Sequence, residues 1–392
     1  MSNIIYYTTT NSQPIILYNS DALGSEIISN TYENGKGAIV CKDNIDTIGE
    51  WAFSGCSRLI TINIPDGVTT IEKGAFSGCI RMTTVNIPDS VTTIQNGAFY
   101  GCIRMTTVNI PNRVKTINVG AFYRCSSLTT VNIPNHIKTI KEFVFYGCRR
   151  LTTVNIPSHI KTIKKFAFFG CSSLATVNIP DNVTSIGTMA FCGCNSLTTI
   201  NIPDSIKTIG ENAFLCKNLF RFTGKYASSD SRCIIINNEI VAFAGFGITE
   251  YTIPNNVTTI GKVAFSGCSN LTTVNIPDSV KTIEHQAFAG CLNLTTINIP
   301  NSVKTIKACA FDNCSSLTTI NIPDSISSIG YWAFNYCKSL TKIYCKPINP
   351  PECSNMGINY DTKIFVPVAS VDAYKNDSEW SQYASQIVGY NF

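Results

Sequence analysis

L-T-T-V-N-I-P-N-H-I-K-T-I-K-E-F-V-F-Y-G-C-R-R, residues 128–150, is one copy of a 23-residue phrase that recurs about a dozen times in this chain of 392 residues. Phe53, Phe76, Phe99, Phe122, Phe145, Phe168, Phe191 and Phe214 stand 23 apart, and after one interruption Phe265, Phe288, Phe311 and Phe334 resume the spacing. Self-similarity at a period of about 20 to 50 residues marks a solenoid, in which each repeat is one coil that buries its apolar face only against its neighbours. The expected fold is therefore mostly β: about 13 coils with short parallel strands, an N-terminal β cap and a C-terminal cap with a helix.

Each coil has its own grammar. In Thr84, Val85, Asn86 and Ile87 polar and apolar residues alternate, the pattern of a short half-buried strand. Pro88 ends it, because proline brings no N–H to a ladder, and eleven of the sixteen prolines hold this place. An Asp-Ser or Asp-Asn pair makes the corner. A second β-branched run such as Val91 to Ile94 returns along another side, and the A-F-x-x-C segment closes the coil as a turn or a short helical piece. One coil offers about eight inward apolar side chains at roughly 1.5–3 kcal/mol each, against an ordering cost on the order of 1.5 kcal/mol per residue. Alone it cannot fold, so both ends of the stack need covers.

The departures from the period divide the chain. Residues 1–44 hold strand-like runs without the repeat and read as the N-terminal cap. Residues 45–220 and 251–345 read as repeats, 221–250 as a divergent insert with a hairpin about Asn237-Asn238, and 346–392 as the C-terminal cap. In that cap, the stretch from Ala369 to Gly389 reads as a helix capped by Ser370. The five residues beyond two periods between Phe214 and Phe265 are expected to bulge outward.

The chain has eighteen cysteines, and eleven of them lie three residues after the repeat Phe. Equivalent positions on stacked coils lie about 5 Å apart with parallel Cβ directions, which disfavours disulfides and points to a buried ladder of free thiols. Cys192 and Cys194 form a C-x-C without a second ligand pair, so no metal site is expected. With three histidines, and no G-x-S-x-G or phosphate loop, the chain offers no catalytic constellation and no cofactor site.

Charge singles out one region. Residues 101–165 carry eleven basic side chains against one acid, Glu142, a balance of +10 in a chain whose total is +5. Lys115, Lys138 and Lys161 recur at 23, joined by Arg113, His136 and His159, and should stack into one rank that attracts an acidic protein or an anionic glycan. A second rank, Asn109, Asn132 and Asn155 among others, forms an amide and hydroxyl face that either docks a partner or bonds along the stack. Nucleic acid is disfavoured, because no binding motif accompanies the patch and the aromatics are mainly committed to the core. No transmembrane segment is encoded, and the repeat leaves the oligomeric state open.

The unit L-x-x-[IV]-x-I-P-x-x-[VI]-x-x-I-x-x-x-A-F-x-x-C, seen in S-L-T-T-I-N-I-P-D-S-I-K-T-I at 196–209 and A-F-S-G-C at 264–268, resembles the BspA-like leucine-rich repeats over nearly all of residues 42–345. The ending, from K-I-F-V-P-V-A-S-V-D-A-Y-K onward, is similar to the cap of such proteins from gut-type bacteria, and similar arrays occur in phage-encoded proteins. The resemblance implies a non-catalytic binding or adhesion scaffold at a cell surface or on a virion. The start, M-S-N-I-I-Y-Y-T-T-T, has neither the basic nor the apolar region of a secretory signal. That favours the alternative, a cytoplasmic scaffold for protein–protein interaction.

Overall fold

The computed structural model describes residues 3–392, in two compact units, Met1–Leu219 and Phe220–Phe392. Residues 1 and 2 of the expected N-terminal cap lie outside the described part.

In the first unit, strands Ile4–Thr9, Ile27–Glu33 and Lys36–Cys41 form an antiparallel sheet. Ile4–Thr9 also pairs antiparallel with Leu59–Asn63, the first strand of the repeat ladder, with Tyr7 opposite Ile62. The open edge of that ladder is thereby covered, as an exposed row of backbone donors and acceptors requires. From there the strands run parallel and in register: Ile62 beside Val85, Val108 beside Val131, and Val131 beside Val154. A second ladder is made of two-residue strands, from Thr47–Ile48 to Thr116–Ile117 and from Thr139–Ile140 to Thr208–Ile209, two sheets of four. The first-ladder strands are short because the proline turn follows each one: the Val91 N–H returns to the Pro88 carbonyl at 3.1 Å.

The third side of each coil is a turn without regular structure. Its amides still bond to the next coil, Phe76 N–H to the Ala98 carbonyl at 2.7 Å and Phe99 to Ala121 at 2.8 Å. Two residues per coil are left-handed, two before and two after the Phe: Gly97 and Gly101 around Phe99, Phe143 and Gly147 around Phe145. Gly74 shows what the spacing permits. A Cβ there would sit 2.2 Å from the Trp51 ring of the preceding coil. Bulky residues nonetheless hold several of the left-handed places, including Phe166, Met189, Trp332 and the exposed Tyr336.

Those turns aim the Phe rings inward. From Phe53 to Phe145 the rings stack at 5.2–5.7 Å between centroids and within 7° of parallel, fully buried. The cysteines stand beside them as free, mostly buried thiols. Within the runs of repeats the thiols donate to the carbonyl of the Phe 26 residues earlier, as Cys102 does to Phe76 and Cys125 to Phe99, both at 3.2 Å, whereas Cys56, in the first repeat, donates to Ile16. That carbonyl also accepts the N–H of the Cys in its own coil, Cys79 N–H to Phe76 at 3.2 Å. A small apolar side chain with a weak donor fits the place.

In the second unit, Cys233–Ile236 and Glu239–Phe243 form the expected hairpin, with Asn237 and Asn238 both left-handed, as a type I′ turn requires. The insert does not bulge free, contrary to the sequence reading. Glu239–Phe243 takes a place in the second ladder, Ile240 beside Ile260. The loop before it is tied down by Arg232 Nη1, which donates to the carbonyls of Phe220, Ala244 and Phe246. The extra length is absorbed by pairing.

At the C-terminus the long helix of the sequence reading shortens to Val371–Asn376. Ser370 precedes it without a capping bond, its hydroxyl buried and unpartnered. Asp377 stops the helix, because its carboxylate accepts the N–H groups of Glu379 and Trp380. Lys363–Pro367 and Ile387–Tyr390 then extend the parallel ladder beyond Lys342–Cys345. The winding thus continues into the cap and reaches about fifteen turns. Tyr374 and Trp380 are fully buried in this end, with Tyr383 and Ile387 nearly so.

Two stability measurements check this packing. Phe122→Ala, in the middle of the ring column, should lower the unfolding free energy by about 3–5 kcal/mol in urea, whereas Tyr336→Gly should raise it by about 0.5–1 kcal/mol by relieving a left-handed tyrosine. Burial pushes the Cys56 thiol up to about 11 and Cys102 up to about 12 from the ordinary 9.0. A thiol whose folded value is raised keeps its full contribution below pH 9 and loses it as pH climbs towards about 12. Stability should therefore fall across that window, and Cys102→Ala should make the fall shallower.

Candidate functional site

The basic rank forms on the second ladder because residue and repeat coincide there. The repeat gives Lys115, Lys138 and Lys161 equivalent positions on successive coils, each two residues before a buried Ile; Thr139 pairs in register with Thr162, and Thr116 with Thr93, but the ladder is interrupted between the Lys115 and Lys138 coils. Lys115 N–H reaches the Thr92 carbonyl at 2.8 Å and Lys161 N–H the Lys138 carbonyl at 2.9 Å, so the rank is bonded on either side of the interruption. The side chains point to solvent. Among the described residues none of Arg113, Lys115, Lys138 and Lys161 forms an ion pair or side-chain hydrogen bond.

Arg113, Lys115, His136 and Lys138 line one concavity of about 770 Å³, floored by Ile117 and Ile137 and walled by Thr92, Thr116, Thr139 and Lys141. His159 and Lys161 continue the rank one coil further, outside this lining. Lys141, not among the sequence candidates, donates to the Asn118 side-chain oxygen Oδ1, and Asn118 Nδ2 donates to Gln95 Oε1 at 2.7 Å. A chain of three polar side chains therefore anchors one cation at the edge of the hollow. Its signal in the sequence was its place one residue after the second strand.

The rank has an electrostatic consequence. Lys138 and Lys161 belong to bonded coils, whose strands lie about 4.8 Å apart, and ammonium groups at that spacing repel by roughly 0.5–1 kcal/mol in water. An anion laid along the rank removes that repulsion and gains its own attraction.

The amide face is separate. Asn109, Asn132 and Asn155, with Thr107, Thr130 and Thr153, line a shallower concavity of about 480 Å³ on the first ladder. Here the amides partly satisfy each other: Asn155 Nδ2 donates to Asn132 Oδ1 at 3.3 Å, as Asn86 does to Asn63 at 2.8 Å. The structure thus does not bring the nine candidates together; it divides them between two faces of the coil.

The sequence reading that aromatics are mainly committed to the core needs correction. Tyr100, Tyr123, Tyr146 and Phe169, each one residue after an inward Phe, stack on the outside at 4.6–4.8 Å. Their spacing of 23 was the available signal. Among the described residues no group of three His, Cys, Asp or Glu is placed to hold a metal ion, and no helix is long and apolar enough to cross a membrane.

Repeated turns with parallel ladders and inward columns of Leu, Ile, Phe and Cys define a leucine-rich-repeat solenoid. The chain belongs to the family of the BspA type leucine rich repeat region, which matches residues 25–152, 138–230 and 235–349. A leucine-rich repeat protein from Bacteroides ovatus is similar in structure at a TM-score of 0.56 and 25% identity, covering 90% of this chain and 98% of its own. A leucine rich cell surface protein from Faecalibacterium prausnitzii has a TM-score of 0.56 at 24% identity over 98% of this chain and 95% of its own. For the pneumococcal vaccine antigen PcpA the values are 0.51, 18%, 89% and 85%. No curated protein matches the chain. The repeat class is generally non-enzymatic and serves as a scaffold for binding proteins.

Proposed function

We propose that this chain is a non-catalytic binding or adhesion scaffold that takes an anionic partner, an acidic protein or an anionic glycan, at the basic concavity of its second ladder. The observation that carries this reading is the convergence of Arg113, Lys115, His136 and Lys138 on one hollow with no acidic side chain in its lining. The hollow opens where the second ladder is interrupted between Thr116–Ile117 and Thr139–Ile140, while the same two coils stay bonded on the turn side, Phe122 N–H to the Val144 carbonyl at 3.0 Å, so the cations line a gap whose two walls are tied together behind it. Clustered charge attracts a polyanion more strongly than the same charge dispersed. The apolar floor adds contact for a sugar ring or an aliphatic side chain.

The F. prausnitzii protein is described as a cell surface protein, which supports an outward-facing role of the same kind here. A second reading, a scaffold for protein partners inside the cell, is favoured by the eighteen cysteines without a disulfide, the usage of a reducing compartment. Fractionation of the native cells decides between them: recovery at the cell surface supports adhesion, and recovery solely from the reduced cytosol supports the interior scaffold.

Binding to heparin, used as a sulfated probe, tests the site itself. The wild-type chain should bind it, with affinity falling steeply between about 50 and 200 mM salt, and Lys115→Glu, Lys138→Glu and Lys161→Glu together should weaken binding at least about tenfold. Retained, salt-insensitive binding in the triple variant would exclude this face.

A further inference from the structure

The eleven basic residues of the 101–165 segment do not share one face. Arg113, Lys115, Lys138 and Lys161 belong to the second ladder, whereas Arg104, Arg124, Arg149 and Arg150 lie on the turn side, all exposed. The outer aromatic column runs along the same turn side.

That column is unusual in its construction. Tyr100, Tyr123, Tyr146 and Phe169 stack face to face, and a second pair, Phe143 and Phe166, stacks at 5.0 Å beside them. The two rows meet obliquely, Phe143 to Tyr146 at 6.0 Å and Phe166 to Phe169 at 5.8 Å. Phe143 and Phe166 occupy left-handed positions, which the three preceding turns give to glycine, Gly74, Gly97 and Gly120. Apolar surface continues past the column, with Ile80, Ile103 and Val119 exposed around the 43% exposed Tyr100. Arg124 lies over the Tyr123 ring at 5.6 Å.

We propose that this aromatic and arginine face docks an acidic polypeptide segment that carries apolar anchors. Three features select that occupant. First, stacking closes the ring faces and leaves their edges outward, and aromatic edges carry the positive end of the ring quadrupole. Edges, phenol hydroxyls and guanidinium groups all favour carboxylates, while Ile80, Ile103 and the ring rims offer contact to aliphatic side chains. Second, the closed faces exclude nucleic acid, since single-stranded binding sites stack bases on open rings. Third, a symmetric pairing with a second copy would set the arginine rim against itself, because such an interface presents the same patch from both partners. Tyrosine and arginine are also the residues in which binding energy concentrates at protein interfaces.

This inference stands apart from the heparin site and is tested separately. The probe is a displayed library of random linear peptides, selected on the full chain with Arg124→Glu, Arg149→Glu as the counter-selection. Selected peptides should be rich in Asp and Glu with Leu, Phe or Trp. Their affinity should fall at least about tenfold in the double arginine variant and stay unchanged in the triple lysine variant. The proposal is overturned if no peptide is enriched, if the winners are neutral or basic, or if they bind the arginine variant equally. It is likewise overturned if oligo-dT binds the face as tightly as the peptides. Concentration-dependent self-association of the wild type that the arginine variant abolishes would assign the face to a second copy instead. Coincident urea transitions of both proteins establish that the variant is folded.

Discussion

The whole molecule depends on neighbouring coils completing one another. A coil's Phe ring has no core of its own; its partners are the rings before and after it, 5.2 Å away on each side at Phe76. Its carbonyl is shared between an amide of its own coil and a thiol of the next. Because the same residues meet at every step, whatever stands at one repeat position becomes a column. Inside, this yields rings and thiols in file. Outside, it converts a modest side chain into a rank, and a rank of cations or aromatic rings has binding properties that one residue lacks.

The same constraint explains the ends. A stack that ends abruptly exposes a ladder edge and an apolar face. At the start, Ile4–Thr9 reverses strand direction against Leu59–Asn63, which stops further parallel addition. At the finish, the sheet continues through Lys363–Pro367 and Ile387–Tyr390, while Trp380 and Tyr374 fill the end of the core. Trp380 and Tyr374 keep their polar atoms satisfied there, bonding to the carbonyls of Pro351 and Pro347.

Much of this was legible in the sequence, because a period states which residues share an environment. The spacing of Phe53 onward gave the ring column, the cysteines three residues later gave the buried thiols, and Asn237-Asn238 gave the hairpin. What a period does not state is where a turn aims its side chains. Tyr123 and Phe122 are neighbours with the same spacing and similar chemistry, yet one is outside and the other inside, a difference set by the left-handed residues that flank the Phe. For the same reason the +10 segment read as one band and is two. The tail failed differently: its helix was read from composition, but Asp377 offers the backbone a local carboxylate partner, and that competition ends a helix after six residues. Of the candidate site, Arg113, Lys115, His136 and Lys138 were foreseen as a group, while Lys141 was not, because its position depends on the Asn118 and Gln95 side chains of two other coils.

The central claim is that the coil of 23 residues is the unit of structure, interchangeable along the stack, and it can be tested by excision. Removing residues 128–150 joins Ser127 to Leu151 and restores every column across the cut, whereas removing residues 128–138 sets each strand against a turn. Urea unfolding followed by circular dichroism should show a cooperative β-rich transition for the first deletion and none for the second. Equal folding, or equal collapse, of the two shortened chains would contradict the account.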